Sequence, residues 1–347
     1  MKTAVFIGRF QPPHLSHLET ITRALERFDR LVVVLGSAFC YPTPKNPFSV
    51  EERERIIRAS LGEASRLHFV PIADDYYNDP RWFRTVRAAV EALTGPGAEV
   101  YITGYDKDES SYYLHGFADW PFAPSGVVSQ LNATDVRDSY FAGSSAWRAM
   151  VPQTVRAFME QFARTPTFER LQQEWQTIRH YRSLERRYPY PILHVATDAM
   201  VLAQQQVLLV ERKGSLSKGA WALPGGYVEP KETLLASALR ELREETSLEL
   251  QAQHLKATQA FDYPGRSLRG RVISLGHFFD LGQTPPPLVQ GQDDAARAFW
   301  LPLAELDGNQ DRFFEDHYQQ ICWFLGRAPH QPALSQGKEF CESPQSP

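Results

Sequence analysis

Through about the first 160 residues, short apolar runs alternate with amphipathic stretches, and this alternation constrains the fold more than any other feature of the chain. TAVFIG, LVVVLG, LHFVPI and EVYITG have strand length, and three of them are rich in Val and Ile. Between them, stretches such as HLETITRALERF and VEERERIIRASL carry apolar residues at helical spacing. Ser49 precedes the second of these, with Glu52 three residues on, which is the signature of a reciprocal helix cap. Strands alternating with helices build βαβ units on a parallel sheet. Such sheets take ligands at the carboxyl ends of their strands.

The pattern changes further along. FERLQQEWQTIRHYRSLERRY is polar, charged and helical in spacing, and it stops at Pro189 and Pro191. Its basic part reads as a solvated linker helix. Beyond it, ILHVATDAMVL and QVLLVER form a hairpin pattern around Gln204–Gln206, and RVISLGHFFDL and ARAFWLPL read as further strands, without regular βα alternation. The expected class is α/β, with a parallel-sheet domain over 1–164 and a helical linker over 165–189. A mixed-sheet domain follows over 190–326, then a poorly ordered tail over 327–347, rich in Pro, Gln and Ser.

A chain of 347 residues exceeds one typical core, which agrees with two domains. Hydrophobic content of 43% with 22% charged residues is that of a soluble globular protein. A net charge of -4 argues against nucleic acid as a partner. Cys40, Cys322 and Cys341 lie far apart without metal-ligand spacing, as in a reducing compartment. With no secretory leader and no apolar run of membrane length, a cytoplasmic location away from membranes is expected. Oligomeric state is not legible.

The loop GRFQPPHLSH follows the first strand directly and carries Gly8, Arg9, Phe10, His14 and His17 into the start of a helix. A helix N-terminus offers free N–H groups to an anion, and glycine lets backbone approach closely. Arginine and two histidines add donors suited to a phosphate whose charge grows during displacement.

These residues resemble the opening motif of the nucleotidyltransferase superfamily, (H/T)xGH, with Ser16 where glycine is usual. GRFQP narrows the likeness to the archaeal-like nicotinamide mononucleotide adenylyltransferases. NPFSVEER at 46–53 and NATDVR at 132–137 are similar to further motifs of that family. The resemblance implies a Rossmann-like domain that transfers the adenylyl group of ATP to nicotinamide mononucleotide, giving NAD and pyrophosphate. Arg9, His14, His17 and Arg137 would stabilise phosphate charge with Mg²⁺, and Thr134 would add a hydroxyl. Gly104 and Asp106, after the fourth strand, are positioned for adenosine. Asn78 and Trp82 are candidates for the nicotinamide ring, or equally for packing.

The second site begins as an electrostatic oddity. Glu241, Glu244 and Glu245 crowd the end of a helix, where the macrodipole disfavours acids. On a helical projection they share a face beside the apolar stripe of Leu235, Ala238, Leu239 and Leu242. Such carboxylates repel unless a cation sits among them, and Mg²⁺ commonly bridges carboxylates to phosphates. The full spacing, from Gly226 through Glu232 to Arg240–Leu248, resembles the Nudix box G-x5-E-x7-REUxEExGU, with Ser247 at its last glycine. Membership implies an α/β/α sandwich that hydrolyses a nucleoside diphosphate derivative. Glu241, Glu244 and Glu245, with the Gly226 carbonyl, would hold Mg²⁺ (or Mn²⁺), while Glu232 and Arg240 orient them. The general base is open between the box glutamates and Asp293 or Asp294. Phe261, Tyr263 and Phe278 are open between adenine stacking and core.

The pairing of the two units resembles bifunctional enzymes whose second half cleaves ADP-ribose to AMP and ribose 5-phosphate. The box itself leaves open hydrolysis of another nucleoside diphosphate derivative. Two competing readings are a Nudix module that senses ADP-ribose without cleaving it, and a first half that serves pantetheine phosphate or choline phosphate. Retention of every box acid and the GRFQP opening argue against them.

Overall fold

The structure, a computed structural model, describes residues 1–62, 65–105, 113–126 and 131–331. In the first half, β1 (Lys2–Gly8), α1 (Leu15–Arg27), β2 (Arg30–Leu35), α2 (Val50–Leu61), β3 (Leu67–Pro71), α3 (Asp79–Thr94) and β4 (Glu99–Gly104) follow the expected alternation. A short β5 (Phe122–Pro124) completes a parallel sheet of order β3-β2-β1-β4-β5. Side-chain alternation explains its two covered faces. Ala4 and Phe6 pack with Leu18, Ile21 and Ala24 of α1, while Val5 and Ile7 pack with Val86 and Val90 of α3. The Ser49–Glu52 cap closes reciprocally at 3.2 and 2.8 Å. The chain winds outward from β1 to β3 and returns on the other side of β1 at β4. The crevice of this sheet therefore opens between Gly8 and Gly104, at the carboxyl ends of β1 and β4.

Helices α4 (Ala133–Phe141), α5 (Gln153–Phe162) and α6 (Pro166–Glu185) share a core of Val136, Phe141, Met159, Phe162 and Leu171. The expected linker is α6, and its basic end is exposed from Arg179 to Ser183. Its first half is not a tether. Leu171, Glu174 and Ile178 are buried, and Glu174 accepts from Arg170 at 2.6 Å and from the Ser217 backbone N–H at 3.0 Å. Arg170 also donates to the Pro42 carbonyl at 3.2 Å. Apolar residues recur on one face of this half, a signal masked by its high overall polarity.

The second half contains β6 (Leu193–Ala203), β7 (Gln206–Arg212), β8 (Trp221–Ala222), β9 (Gly225–Tyr227), α7 (Leu234–Thr246), β10 (Leu255–Phe261), β11 (Arg271–Asp280), β12 (Ala295–Pro302), α8 (Leu303–Leu306) and α9 (His317–Phe324). Strand β11 pairs with β6 in parallel and the other pairings are antiparallel, so the sheet is mixed. Helix α7 packs Leu242 against Ala199, Val201 and Phe279, and α9 packs Ile321 against Met200 and Leu209 on the opposite face. The hairpin turns through Gln204 and Gln205, both at positive φ (43° and 63°), as the right-handed strand twist favours. Phe261 is fully buried, and the partly buried Phe278 packs against the core. The expectation of a loose tail fails at its start. Arg327 donates to the Cys322 carbonyl, His330 to the Tyr318 hydroxyl, and Gln331 accepts from Ala73. Residues 332–347, which hold Cys341, lie outside the described residues. No described helix is long and apolar enough to cross a membrane.

One buried polar network joins the halves. Arg266 donates twice to Asp316, at 2.9 and 2.7 Å, and stands 3.9 Å from Asp198. Gln320 donates to both acids at 3.1 Å, and Ser274 donates to Asp198 at 2.5 Å. From the first half, the Tyr77 hydroxyl donates to Asp316. Burial pushes the Asp316 carboxyl up, but Arg266 and its hydrogen bonds override this and hold it below the usual range. Removing one partner strands a buried charge. Arg266→Met is expected to lower stability by about 3–5 kcal/mol, and Tyr77→Phe by about 1 kcal/mol, as read from denaturant midpoints.

Candidate active sites

The first site is built on the loop between β1 and α1. Gly8 ends β1, and a Cβ there would stand 3.0 Å from the Phe10 ring. Phe10 was expected beside the nucleotide, but its side chain is buried, 4.8 Å from the His17 ring and 5.3 Å from Phe6. It supports His17 from below. His14 caps α1, and its ring stacks on His17 at 3.6 Å. The His14 N–H donates to His17 Nδ1 at 3.3 Å. Burial, then the neighbouring His14, lowers the His17 pKa well below its ordinary value. A neutral His17 whose Nδ1 accepts must carry its proton on Nε2, where it can donate to a ligand oxygen.

The remaining motifs are latched onto this loop. Gln11 exchanges two hydrogen bonds with the Phe48 backbone, at 2.8 and 2.9 Å, which brings the NPFSVEER segment alongside. Arg137, in the first turns of α4, donates to the Gln11 carbonyl at 2.6 Å and to Thr134 Oγ1 at 3.1 Å. Arg53, fully buried, donates to the Arg9 and Gly36 carbonyls at 2.8 Å each. Sequence reading passed over Arg53, and also Lys45, one residue ahead of NPFSVEER. Burial, then Arg9, lowers Lys45 to about 8, with Arg137 contributing. Burial, then Arg9, lowers Arg137 to about 10. Among the described residues, Arg9, Lys45 and Arg137 enter no ion pair. Arg9 thus lies close enough to depress both Lys45 and Arg137, with Asp74 and Asp138 opposing it only in part, and the three cations describe an anion cradle.

Other expected residues ring this crevice. Gly104 ends β4 at φ 154°, and its carbonyl accepts from Ser125. Asp106 lies outside the described residues. Asn78 caps α3, its Oδ1 accepting from Arg81 at 3.0 Å, and Trp82 is half-buried beside Phe83 at 5.3 Å. Ser16 is buried within α1 and its carbonyl accepts from Thr20.

The second site joins α7 to the β9 strand. A Cβ on Gly226 would stand 2.4 Å from Glu241 Oε1, so this glycine makes room for a carboxylate. Glu245, buried, accepts from the Gly225 N–H at 3.0 Å. Arg240 donates to Glu232 at 2.9 and 2.7 Å and to Glu241 and Glu244 at 2.9 Å each. That hydrogen bonding holds Glu232 down to about 2. Burial raises Glu241, with Glu244 and Asp293 adding to the rise against Arg240. Burial likewise raises Glu245 to about 8, against the Gly225 N–H and with repulsion from Glu241 and Asp294. The loop of Asp293 and Asp294 is therefore near enough to repel the box acids.

Among the described residues, no three acidic, histidine or cysteine side chains already converge as a metal shell would. Arg240 explains this, since its guanidinium spans Glu241 and Glu244. The donor set is nevertheless all oxygen and oversupplied with negative charge, which fits a hard divalent cation. Ser247, the departure from the box, caps α7 in the left-handed region at φ 60° and ψ 10°.

These two sites define an enzyme that joins a nucleotidyltransferase to a Nudix hydrolase. The Cytidylyltransferase-like family model matches residues 5–110, and the NUDIX domain model matches residues 192–324. The nicotinamide/nicotinic acid mononucleotide adenylyltransferase of Acinetobacter baylyi is 37% identical over 174 residues, covering 49% of this chain and 92% of the relative. The nicotinamide-nucleotide adenylyltransferase of Sulfurisphaera tokodaii is 32% identical, covering 46% and 90%. A crystal structure of a bifunctional NMN adenylyltransferase/ADP ribose pyrophosphatase from Francisella tularensis superposes with a TM-score of 0.88 at 33% identity, covering 94% of this chain and 98% of its own. A second structure of that protein, complexed with AMP and a Mn ion, also scores 0.88. The chain belongs to the family of bifunctional NMN adenylyltransferase/ADP-ribose pyrophosphatases.

Two substitutions test the hydrolase geometry. Gly226→Ala places a methyl group on the Glu241 carboxylate and is expected to abolish hydrolysis while adenylyl transfer persists, measured on one preparation. Ser247→Gly relieves a left-handed serine and is expected to raise stability by about 1 kcal/mol with hydrolysis unchanged, read from the thermal midpoint.

Proposed function

We propose that the first half transfers the adenylyl group of ATP to nicotinamide mononucleotide, and that the second half hydrolyses ADP-ribose to AMP and ribose 5-phosphate. The observation that carries this reading is the pairing of opposite unmet charges. A cradle of Arg9, Lys45 and Arg137, which enter no ion pair among the described residues, sits at one site, and a surplus of carboxylates sits at the other.

In the transferase, a phosphate oxygen of the mononucleotide attacks the α-phosphorus of ATP, and the bond from that phosphorus to the bridging oxygen breaks. NAD forms and pyrophosphate leaves with the electron pair. The attacking phosphate is already ionised, so no protein base is required. Catalysis is alignment and charge stabilisation. Arg9, Lys45 and Arg137 meet the triphosphate, and Thr134 orients Arg137. His14 and the Nε2–H of neutral His17 donate to oxygens that gain charge. Gly8 and Gly104 keep the crevice open for adenosine. With its Oδ1 committed to capping α3, Asn78 has its amide NH₂ left for nicotinamide, beside the Trp82 ring. Mg²⁺ is the proposed physiological cation at both sites, supplying phosphate neutralisation and a polarised water.

In the hydrolase, Glu241, Glu244, Glu245 and the Gly226 carbonyl would hold that cation, with Glu232 anchoring the Arg240 that orients them. Water attacks one phosphorus of the diphosphate, the P–O–P bridge breaks, and the water proton passes to a carboxylate of this set. Asp293 and Asp294 are additional candidates for that base. Free Cys40 and Cys322 agree with a reducing, cytoplasmic setting.

The test is a pair of assays with Mg²⁺ on one preparation. NAD should form from ATP and nicotinamide mononucleotide, and fall at least about 100-fold in His17→Ala. AMP should form from ADP-ribose and fall at least about 100-fold in Glu244→Gln. Absence of either wild-type product, or full activity of either variant, would sink the corresponding half.

A further inference from the structure

Residues Asp262–Arg266 follow β10 and belong to the hydrolase half, yet they sit against the transferase crevice. The Gly265 carbonyl accepts from Lys45 Nζ at 3.4 Å. The Tyr263 ring stacks on Tyr76 of the first half, with centroids 4.5 Å apart and planes inclined by 18°. Tyr76 is fixed in turn, its hydroxyl donating at 2.8 Å to Asp74, which also accepts from Ser37 just beyond β2. The loop is anchored at its far end, because Arg266 is locked onto Asp316. Burial pushes the Tyr263 phenol up, Asp74 and Asp79 add to this, and Arg9 opposes it. Tyr76, on which Tyr263 stacks, lies two residues ahead of Asn78, the cap of α3, so Tyr263 is held beside the start of that helix. Tyr263 remains 38% exposed. There is little slack here: a Cβ on Gly265 would lie 3.1 Å from the Tyr263 ring and 3.4 Å from Lys45 Nζ.

We propose that this loop is a wall of the transferase site supplied by the hydrolase half, with Tyr263 covering the acceptor mononucleotide and the Gly265 carbonyl positioning Lys45 for the phosphates. The inference rests on the transferase reading above and extends it, because the first half alone then lacks one side of its own site. A tyrosine suits this place chemically. Its ring gives an aromatic base or sugar an apolar face at low entropic cost, and its hydroxyl can meet a polar edge. A lysine has a long mobile stem, and a fixed carbonyl acceptor restricts where its ammonium waits.

The test uses the full-length protein and steady-state kinetics of both activities. Tyr263→Ala should raise the KM for nicotinamide mononucleotide about tenfold, with kcat changed less than about twofold. Gly265→Val should raise the KM for ATP about fivefold, and should add nothing when Lys45→Gln is already present, since both act through one ammonium group. ADP-ribose hydrolysis should match wild type in each variant, which also reports folding. If Tyr263→Ala loses hydrolysis through misfolding, Tyr263→Leu keeps the bulk and is expected to show the same selective rise in KM. Unchanged transferase KM values in variants that still hydrolyse ADP-ribose overturn the proposal. So do additive effects of Gly265→Val and Lys45→Gln, or a changed KM for ADP-ribose. A wild-type protein that makes NAD while the variants behave like it refutes the wall alone; a wild-type protein that makes none refutes the transferase reading beneath it.

Discussion

The ion pair between Arg266 and Asp316 is the interaction on which the arrangement of the two halves depends. Asp316 is fully buried, and an unpaired carboxylate there would be very costly. The pair is held by a loop after β10 and the start of α9, both from the second half, yet it needs the Tyr77 hydroxyl from the first. Burying this network in the joint makes the relative position of the halves specific, because a displaced interface would leave its charges unmet. The hydrolase strand β6 enters the same network through Asp198, and β6 also pairs with the β9 strand that carries Gly225 and Gly226. One cluster thus braces the domain joint and the backbone beneath the carboxylate site.

The two sites are electrostatic opposites built by the same rule. Each gathers like charges that the protein offsets only in part, which suits a ligand of opposite sign. In the first half the gathered charges are cations, and they are held by backbone carbonyls rather than carboxylates. Arg137 leans on the Gln11 carbonyl and Lys45 on that of Gly265. A carbonyl fixes a cation without cancelling it, which preserves its charge for a phosphate. In the second half Arg240 shares one guanidinium among Glu232, Glu241 and Glu244, so the excess remains negative.

Much of this was legible from local pattern. Four parallel strands, the Ser49–Glu52 cap and helix α7 announced themselves by periodicity and spacing, which are properties of neighbouring residues. The left-handed Ser247 was foreseeable because a glycine position occupied by serine marks the backbone conformation. What stayed hidden depends on distant residues meeting. Lys45 and Arg53 gain their meaning only when Gln11 clips Phe48 to the first loop. The alternating polar edge strand β10 and the very short β5, β8 and β9 carry too few apolar residues to register. Where the Phe10 side chain lies was hidden too, because a side chain beside a binding loop looks the same in sequence whether it faces the ligand or the core. Tyr263 belongs to neither half's motif and stayed open between adenine stacking and core, because only the packing of one half against the other brings it onto Tyr76.

Helix α6 looks by composition like a tether, yet Glu174 on its inner face is satisfied partly by its own Arg170 and partly by the Ser217 N–H of the opposite half. A cut through this stretch would not release two finished modules. Each piece would carry a raw face, one with Leu171 beside its aromatic neighbours and the other with an orphaned backbone donor. The enzyme is thus a fitted pair rather than beads on a string, and replacing either half by one from a distant relative would first require that this seam be recut.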